Sequence, residues 1–393
     1  MKIFTKTVWL LSLVSLLTDI SSEMLYPVMP MFLTGIGFSV VWIGILEGIA
    51  EAVAGFSKGY FGKLSDITGK RAIFVRLGYF LSSVSKPMMA LILHPVWILF
   101  ARTTDRLGKG IRTASRDAIL SAETTPGHKG KVFGLHRAAD TLGAAIGPFA
   151  ALIFLQYYPG NYIHLFYIAF IPAIVGVGFT FFIKDKTASK KEISRTGFFS
   201  FLQYWKTAPV QYRRLVAGLL VFSLINSSDM FLLLMIKNKG MADIDVLSIY
   251  IFYNLVYALF STPLGYLGDK FGLKKVLIIG LILFSAVYFG VAIFDTKLLF
   301  FVLFYIYGLY AAATEGISKA WITNIVKKED TATAIGFYTG WQSITTLGAS
   351  ISAGVIWVTA GAAIPFIISA SVAGLTAVYL AIFSRERVES YQN

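Results

Sequence analysis

Long apolar runs, separated by short polar breaks, set the organisation of this chain. Read at helical period, they predict twelve helices near 7–33, 40–61, 72–93, 96–121, 131–156, 162–183, 213–236, 246–267, 273–294, 298–325, 331–358 and 363–383. Each is long enough to cross a bilayer, for which about 20 residues suffice. The polar breaks are unequal. Alternate connections carry Lys63, Lys70 and Arg71; Lys129 and Lys131; Lys270, Lys274 and Lys275; and Lys327 and Lys328. The termini, with Lys2, Lys6, Arg385 and Arg387, fall on that same side. The opposite connections hold Lys237, Lys239 and Lys297 and little else. Basic loops stay in the cytoplasm, so both termini are expected there, on a multi-pass protein of the inner membrane. The apolar start resembles a signal peptide, but Asp19 and Glu23 interrupt it and no small-residue cleavage site follows. An uncleaved first span is expected.

One span breaks the apolar pattern. Between Arg102 and Asp117 the fourth run carries seven charges: Arg102, Asp105, Arg106, Lys109, Arg112, Arg116 and Asp117. At 100° per residue they fall between about −80° and about +60° of Arg102, with Phe100, Leu107, Ile111, Ala114 and Ala118 opposite. Such a stripe can stand in a membrane only against protein or water, and marks a site or pathway. Asp19 and Glu23 in the first span and Glu47 and Glu51 in the second are each spaced i, i+4 and share a face, with Tyr26 near the first pair. His136, Arg137 and Asp140 lie in the fifth span. These acids opposite the bases of span four predict an ion-pair network in the amino-terminal half, either static or acting in proton coupling. Glu23 and Glu51 are the first candidates for a proton carrier, followed by Asp19, Glu47 and Asp140, because a carboxyl that alternates between a dry site and a basic partner binds and releases a proton. Arg102, Arg106, Lys109 and Arg112, with Tyr26 and Arg137, are the candidate solute contacts, since arginine forks suit carboxylates and phosphates.

The second half is sparser, with Asn226 and Asp229, Asn254, Glu315 and Lys319, and Gln342 as its polar points inside spans. Asp229, Asn254, Glu315 and Gln342 are added to the candidate solute contacts, and Glu315 and Lys319 are spaced to pair. Tyr250, Tyr253, Tyr257, Tyr305, Tyr307, Tyr310, Tyr338 and Trp341 would suit either a wall against an organic solute or helix packing.

Composition agrees. Hydrophobic residues make up 56% of the 393 and charged ones 14%, against roughly 25% charged in soluble domains; mean hydropathy is +0.70. The net charge of +14 is explained by loop asymmetry and does not call for nucleic acid. The absence of cysteine excludes disulfides and thiol chemistry. No Gly-x4-Gly-Lys-Ser/Thr phosphate loop and no His-Glu-x2-His occur, so ATP, a metal centre or another cofactor is not expected, nor is an enzyme.

The halves repeat. Gly62-x3-Asp66-x2-Gly69-Lys70-Arg71 recurs as Gly265-x3-Asp269-x2-Gly272-x-Lys274-Lys275, and Ser21-Ser22-Glu23-Met24 as Ser227-Ser228-Asp229-Met230. Ser115-Arg116 meets Ser318-Lys319, and Phe133-Gly134 meets Ile335-Gly336, in the same order. This is the pattern of a duplicated six-span unit. The duplicated loop resembles the signature of the major facilitator superfamily. The resemblance implies an all-α integral membrane fold: twelve transmembrane helices in two pseudo-symmetric six-helix bundles around a central cavity. Residues 1–184 and 213–393 would form the bundles, and 185–212 a cytoplasmic linker, where Phe198, Phe199, Phe201, Leu202, Tyr204 and Trp205 among polar residues predict an interfacial amphipathic helix or a plain tether. It further implies that Asp66, Arg71 and Asp269 gate the cytoplasmic side, with Arg116 near the same gate. Gly143-x3-Gly147-Pro148 resembles the glycine–proline motif of proton-coupled exporters, and equally reads as close helix packing. Arg102 resembles the family's basic position in span four, but Asp105-Arg106-Leu-Gly108 follows where a shorter polar–glycine step is usual, so Arg106 is as eligible.

The expected protein is therefore a monomeric, proton-coupled secondary transporter of a small organic solute, anionic or carboxylate-bearing, such as a siderophore or metabolite. Export by antiport is favoured over uptake of an organic anion or siderophore with protons and over multidrug efflux. A channel or membrane receptor is the alternative of another class.

Overall fold

The computed structural model describes residues 3–26, 28–38, 40–185, 197–241 and 243–383. Lys2, Lys186, Lys190, Lys191, Arg195, Arg385 and Arg387 lie outside the described residues, as does the side chain of Glu47. The helices are α1 (Lys6–Leu25), α2 (Met29–Gly35), α3 (Val40–Thr68), α4 (Arg71–Leu91), α5 (Pro95–Ala122), α6 (Lys129–Tyr157), α7 (Tyr162–Thr180), α8 (Tyr204–Thr207), α9 (Val210–Ser223), α10 (Met230–Asn238), α11 (Asp243–Phe271), α12 (Leu273–Ile293), α13 (Lys297–Asn324), α14 (Thr331–Ala360) and α15 (Ile364–Phe383). No strand occurs among the described residues. Seven of these helices are long and apolar enough to cross a membrane on composition alone. The helices α3, α4, α5 and α11 match them in length.

Ten predicted spans are single helices; the first and seventh are each broken in two. In the first span α1 stops before Pro27, which has no amide proton to continue the ladder. In the seventh, Leu224 to Asp229 separate α9 from α10, and the Asn226-Ser227-Ser228-Asp229 run offers side chains that compete with helical backbone bonds. Neighbouring helices satisfy the freed backbone there. The Ser228 amide donates to Ser350 Oγ at 3.0 Å, and Ser369 Oγ donates to the Ile225 carbonyl at 2.8 Å. Irregular backbone at membrane depth is tolerated where protein satisfies it in this way.

The two sequence halves repeat their helix pairings. In the first, α3 packs on α5, α4 on α5, α4 on α7 and α1 on α7; in the second, α11 packs on α13, α12 on α13, α12 on α15 and α9 on α15. The compact units exchange two helix starts relative to the sequence halves. Unit 1 comprises Met1–Thr124, Ala139–Tyr204 and Lys328–Ser343; unit 2 comprises Thr125–Ala138, Trp205–Lys327 and Ile344–Asn393. Glycines make both exchanges possible. Within unit 1, a Cβ added at Gly62 would lie 2.5 Å from the Ala332 carbonyl oxygen, and one at Gly336 would strike the Lys58 carbonyl. Within unit 2, Gly265 meets the Gly130 carbonyl, and Gly134 the Ser261 carbonyl, in the same manner.

The described part of the central connection differs from an amphipathic helix. It holds a 3-10 turn, Ser200–Gln203, and the single turn α8. Its aromatic residues are spent on α3 instead. The Phe201 ring covers Gly59, Phe198 lies 5.0 Å from Tyr60 and Phe199 5.9 Å from Phe56 between ring centroids. Lys63 Nζ donates to the Ser200 carbonyl at 2.9 Å and holds the turn there.

Candidate functional site

The charged stripe of α5 faces its own unit. Phe100, 56% exposed, marks the opposite, outward side of the helix. Most of the stripe's charges are satisfied by neighbouring helices. Asp105 accepts from Lys86 Nζ of α4 at 2.7 Å and lies 3.6 Å from Arg102. Lys86 also donates to Ser22 Oγ of α1 at 3.2 Å, so one buried ammonium ties α1, α4 and α5 together. Arg106 pairs with Glu51 of α3 at 3.0 Å, and Arg116 with Asp117 at 3.0 Å. Arg112 donates to Ser82 Oγ at 2.6 Å and stacks 4.4 Å over the Tyr79 ring. Close approach of α4 and α5 permits this, since a Cβ on Gly108 would sit 2.5 Å from the Gly78 carbonyl.

Glu23 and Lys109 differ. Among the described residues neither makes a hydrogen bond or an ion pair. Glu23 is half-buried and Lys109 is exposed, although it lies in the middle of α5. Lys109 points about 180° away from Phe100 at 100° per residue. The charges acting on it are those of Arg106, Glu51, Asp19 and Glu23.

A second feature lies beside it. Asp19 of α1 and Asp140 of α6 lie in each other's field. Ser15 Oγ donates a short hydrogen bond to Asp140 Oδ1 and accepts one from Arg116 Nη1 at 3.2 Å. The glycine–proline motif brings these helices together. A Cβ on Gly143 would lie 2.7 Å from the Leu16 carbonyl, and one on Gly147 2.6 Å from that of Ile20. In this chain the motif packs α6 directly onto the α1 turn that carries Asp19 and Glu23.

Unit 2 has its own polar centre. Tyr307 OH donates to Asp229 Oδ1 at 2.7 Å, and Tyr253 OH to Oδ2 at 3.4 Å. Asn226 Nδ2 donates to Tyr310 OH at 3.3 Å, and Asn254 to the Tyr250 carbonyl at 3.0 Å. Arg137 donates a short bond to Tyr257 OH and lies 3.5 Å from Glu315. Tyr253, Tyr257, Tyr307 and Tyr310 are buried and in ring contact with one another, so they act here as packing around Asp229. Tyr305 is 39% exposed against Phe252 and Phe260, away from them.

The duplicated loops are helix caps. Asp66 Oδ2 accepts from the Thr333 amide at 2.7 Å and its hydroxyl at 2.9 Å, while Oδ1 accepts from Arg71 at 2.7 Å. Arg71 also donates to the Lys328 carbonyl at 3.0 Å. Asp269 accepts from the Gly130 and Lys131 amides at 2.7 and 2.8 Å. Each aspartate therefore closes the orphan amides of a helix start, α14 and α6 respectively. Both turns need a glycine, with φ of 66° at Gly69 and 105° at Gly272. Burial pushes the Asp66 carboxyl up to about 6 against the pull of Arg71 and Thr333. Burial likewise raises Asp269, against its two backbone donors.

These repeated helix pairs and caps have counterparts in known proteins. The family model of the Major Facilitator Superfamily matches residues 11–255 and 235–393. The chain belongs to the major facilitator superfamily. An uncharacterized MFS-type transporter of Methanocaldococcus jannaschii is 36% identical over 361 residues, covering 90% of this chain and 89% of the relative. A multi-drug resistance efflux pump PmrA homolog of Lactococcus lactis is 22% identical over 330 residues, 79% of this chain and 78% of that protein. Among solved structures, the human organic anion transporter MFSD10 has a TM-score of 0.77 at 16% identity, covering 95% of this chain and 98% of that one. The fucose:proton symporter FucP of E. coli has a TM-score of 0.78 at 13% identity, with 98% and 100% covered. These two establish the fold. The protein is thus a secondary transporter of this superfamily, an integral, multi-pass membrane protein built of two repeats.

Within this member of the superfamily, the structure joins Glu51 to Arg106 and Arg137 to Glu315, and sets Asp19 in the field of Asp140. It places Arg102 and Arg112 in buried contacts with α4. Gln342 is half-buried in unit 1, and Tyr26 is 40% exposed at the end of α1. The sequence reading missed Lys86. A lysine inside the third apolar run is the same kind of signal as the arginines of the fourth.

Proposed function

We propose that this transporter moves a small carboxylate-bearing organic solute by alternating access, coupled to protons, and that it works as an exporter by proton antiport. The end carrying the Gly-Asp-Gly loops and both termini faces the cytoplasm, and the membrane is the inner membrane. The observation that carries the reading is the packing of α6 on the α1 turn of Asp19, with Asp140 held by Ser15 and Lys109 among the charges acting on Asp19. Two carboxyl groups set close together in a partly dry site bind a proton more readily than either would alone. Ser15 donates to Asp140 and is itself held by Arg116, an arrangement that supports negative charge on Asp140 and leaves the proton on Asp19. Lys109 is the cation among the neighbours of Asp19, so an anionic solute that engages Lys109 changes the field at the pair. Glu51, held by Arg106, serves as an anchor of the site, not the proton carrier.

Alternating access requires one end of the helices to open and close. The caps made by Asp66 and Asp269, with the glycine contacts beside them, hold α3 to α14 and α6 to α11 at the loop end. Solute and proton bias the opening of those contacts, as expected for a transporter that rocks about a fixed site.

The test is transport by protein reconstituted in liposomes, with an imposed pH gradient and a panel of carboxylate metabolites and siderophores. Saturable movement opposite to the proton gradient, abolished by a protonophore, is expected. Non-saturating flux indifferent to the gradient would overturn the reading, and saturable movement with the protons would reverse its direction.

A further inference from the structure

The loop between α11 and α12 and its flanks carry three lysines that stand in different surroundings. Lys274 Nζ donates to the Ala381 carbonyl at 2.7 Å and secures the last turn of α15. The Lys270 ammonium lies 5.2 Å from the centroid of the Phe271 ring. Lys275 is exposed and makes no hydrogen bond or ion pair among the described residues. Beside it a crevice of about 430 Å³ opens between α11 and α12, with α13 as its floor. Leu267 and Phe271 stand on one wall, Ile279 and Leu283 on the other, and Ala313 at the bottom. Lys275 is the charged member of this lining, at its loop end. Phe271 and Ile279, each 55% exposed, mark an outward rim, whereas Ala313 is buried. On α11 the crevice takes the side away from the glycine seam. At 100° per residue, Leu267 and Phe271 lie about 160° and about 120° from Gly265, which packs on the Gly130 carbonyl.

An empty crevice forfeits dispersion contacts along its walls, and an apolar one does not hold water. A hydrocarbon chain can fill it. Hydrocarbon gains no hydrophobic transfer energy on moving there from the bilayer, so packing and the charge at the mouth decide which lipid stays. The cation belongs to this copy of the repeat. In the first copy Ala72 stands at the place of Lys275, and Arg76 of α4 is spent on the Thr180 and Ile183 carbonyls at 3.3 and 2.7 Å.

We propose that this crevice binds an anionic glycerophospholipid of the adjoining leaflet, its acyl chain between α11 and α12 and its phosphate on Lys275, with Lys270 beside it.

The unmodified full chain is tested in nanodiscs of phosphatidylcholine doped with a phosphatidylglycerol that carries a diazirine in one acyl chain near the head group. Photolysis should label residues 264–283 and 309–313 above all other spans. Unlabelled phosphatidylglycerol should compete about 5- to 25-fold better than phosphatidylcholine of the same chains, the worth of one or two lysines facing an anionic head group. Lys275→Gln should lower that preference about 5-fold. Lys274→Gln, which removes the same charge from the same loop, should leave it unchanged. Ala313→Phe, which fills the floor, should reduce labelling with the lysines intact. Labelling spread evenly over the outward faces of both repeats, equal competition by the two lipids, or displacement by glycerol 3-phosphate without a tail would overturn the proposal. Equal effects of Lys274→Gln and Lys275→Gln would do the same. Labelling and competition on the unmodified protein decide the matter even if a variant fails to fold.

Discussion

Asp66 and Asp269 occupy the same place in the two repeats, and each caps the start of a helix from the other half of the sequence. Backbone amides of Thr333, Gly130 and Lys131 are donors in both caps, and the Thr333 hydroxyl adds a second bond to Asp66. Removing either cap should loosen the loop end. Asp66→Ala and Asp269→Ala should each cost the closed arrangement about 1–3 kcal/mol, the range for leaving buried amides without an acceptor. Hydrogen exchange would then speed up at Thr333 in the first variant and at Gly130 and Lys131 in the second. Unchanged protection would show that these caps do not hold the end shut.

The same caps carry a pH dependence of definite sign. Burial raises Asp66 to about 6, while an uncapped, solvated aspartate returns to about 4. The closed arrangement binds the proton more tightly. Its extra stability is full below about 4 and is lost as pH rises through about 6. Asp269, also raised, acts in the same sense. Protection of the Thr333 amide should therefore decline between about pH 4 and 6, and Asp66→Asn should flatten most of that decline.

Glycine contacts make a steric prediction. A methyl group at Gly336 would strike the Lys58 carbonyl, and one at Gly134 the Ser261 carbonyl. Gly336→Ala and Gly134→Ala should each separate the helices by a fraction of an ångström at a cost of about 1–3 kcal/mol. Crosslinking between cysteines placed on α3 and α14, or on α6 and α11, would register the loss. Gly35→Ala, where nothing lies within 4 Å, is the control.

If Asp19 and Asp140 serve the proton, as proposed, coupling should separate from solute binding there. Asp19→Asn or Asp140→Asn should abolish gradient-driven transport while solute exchange in the absence of a gradient survives. Full pH-dependent transport by both variants would move the proton elsewhere.

Lys86 offers a test of the buried network. Lys86→Met leaves Asp105 with the longer Arg102 contact and the Ser85 hydroxyl at 3.4 Å, and should destabilise the protein by about 3 kcal/mol, within the range for breaking a buried pair. Lys86→Met combined with Asp105→Asn should recover part of that loss in a melting experiment. Additive losses would show that the two residues do not act together.

Much of this architecture was readable from the chain. Apolar run lengths located the helices, and the duplicated Gly-Asp-Gly loops revealed the repeat, because both signals are local. The breaks in the first and seventh spans had local causes too, Pro27 and the Asn226–Asp229 run, but apolar content masked them. The site was harder. Helical angles placed Lys109 and Phe100 correctly on opposite sides of α5. They could not tell that Asp105 is matched from α4 by Lys86, so the predicted ion-pair network drew its partners from spans one and two and left out span three. The docking of Phe201 over Gly59 was equally hidden, since an aromatic residue near a membrane satisfies a lipid interface or a groove of the protein alike.

The contacts at the loop end run from glycine to main-chain carbonyl and from carboxylate to main-chain amide. Beyond Thr333 and Arg71, which also bond Asp66, a seam of that kind places little demand on the surrounding side chains. If these contacts form the moving joint, as proposed, the walls of the solute site can drift, one substitution at a time, toward a new cargo while the joint stays as it is. A small set of glycines and two aspartates would be enough to keep the machine while its specificity evolves.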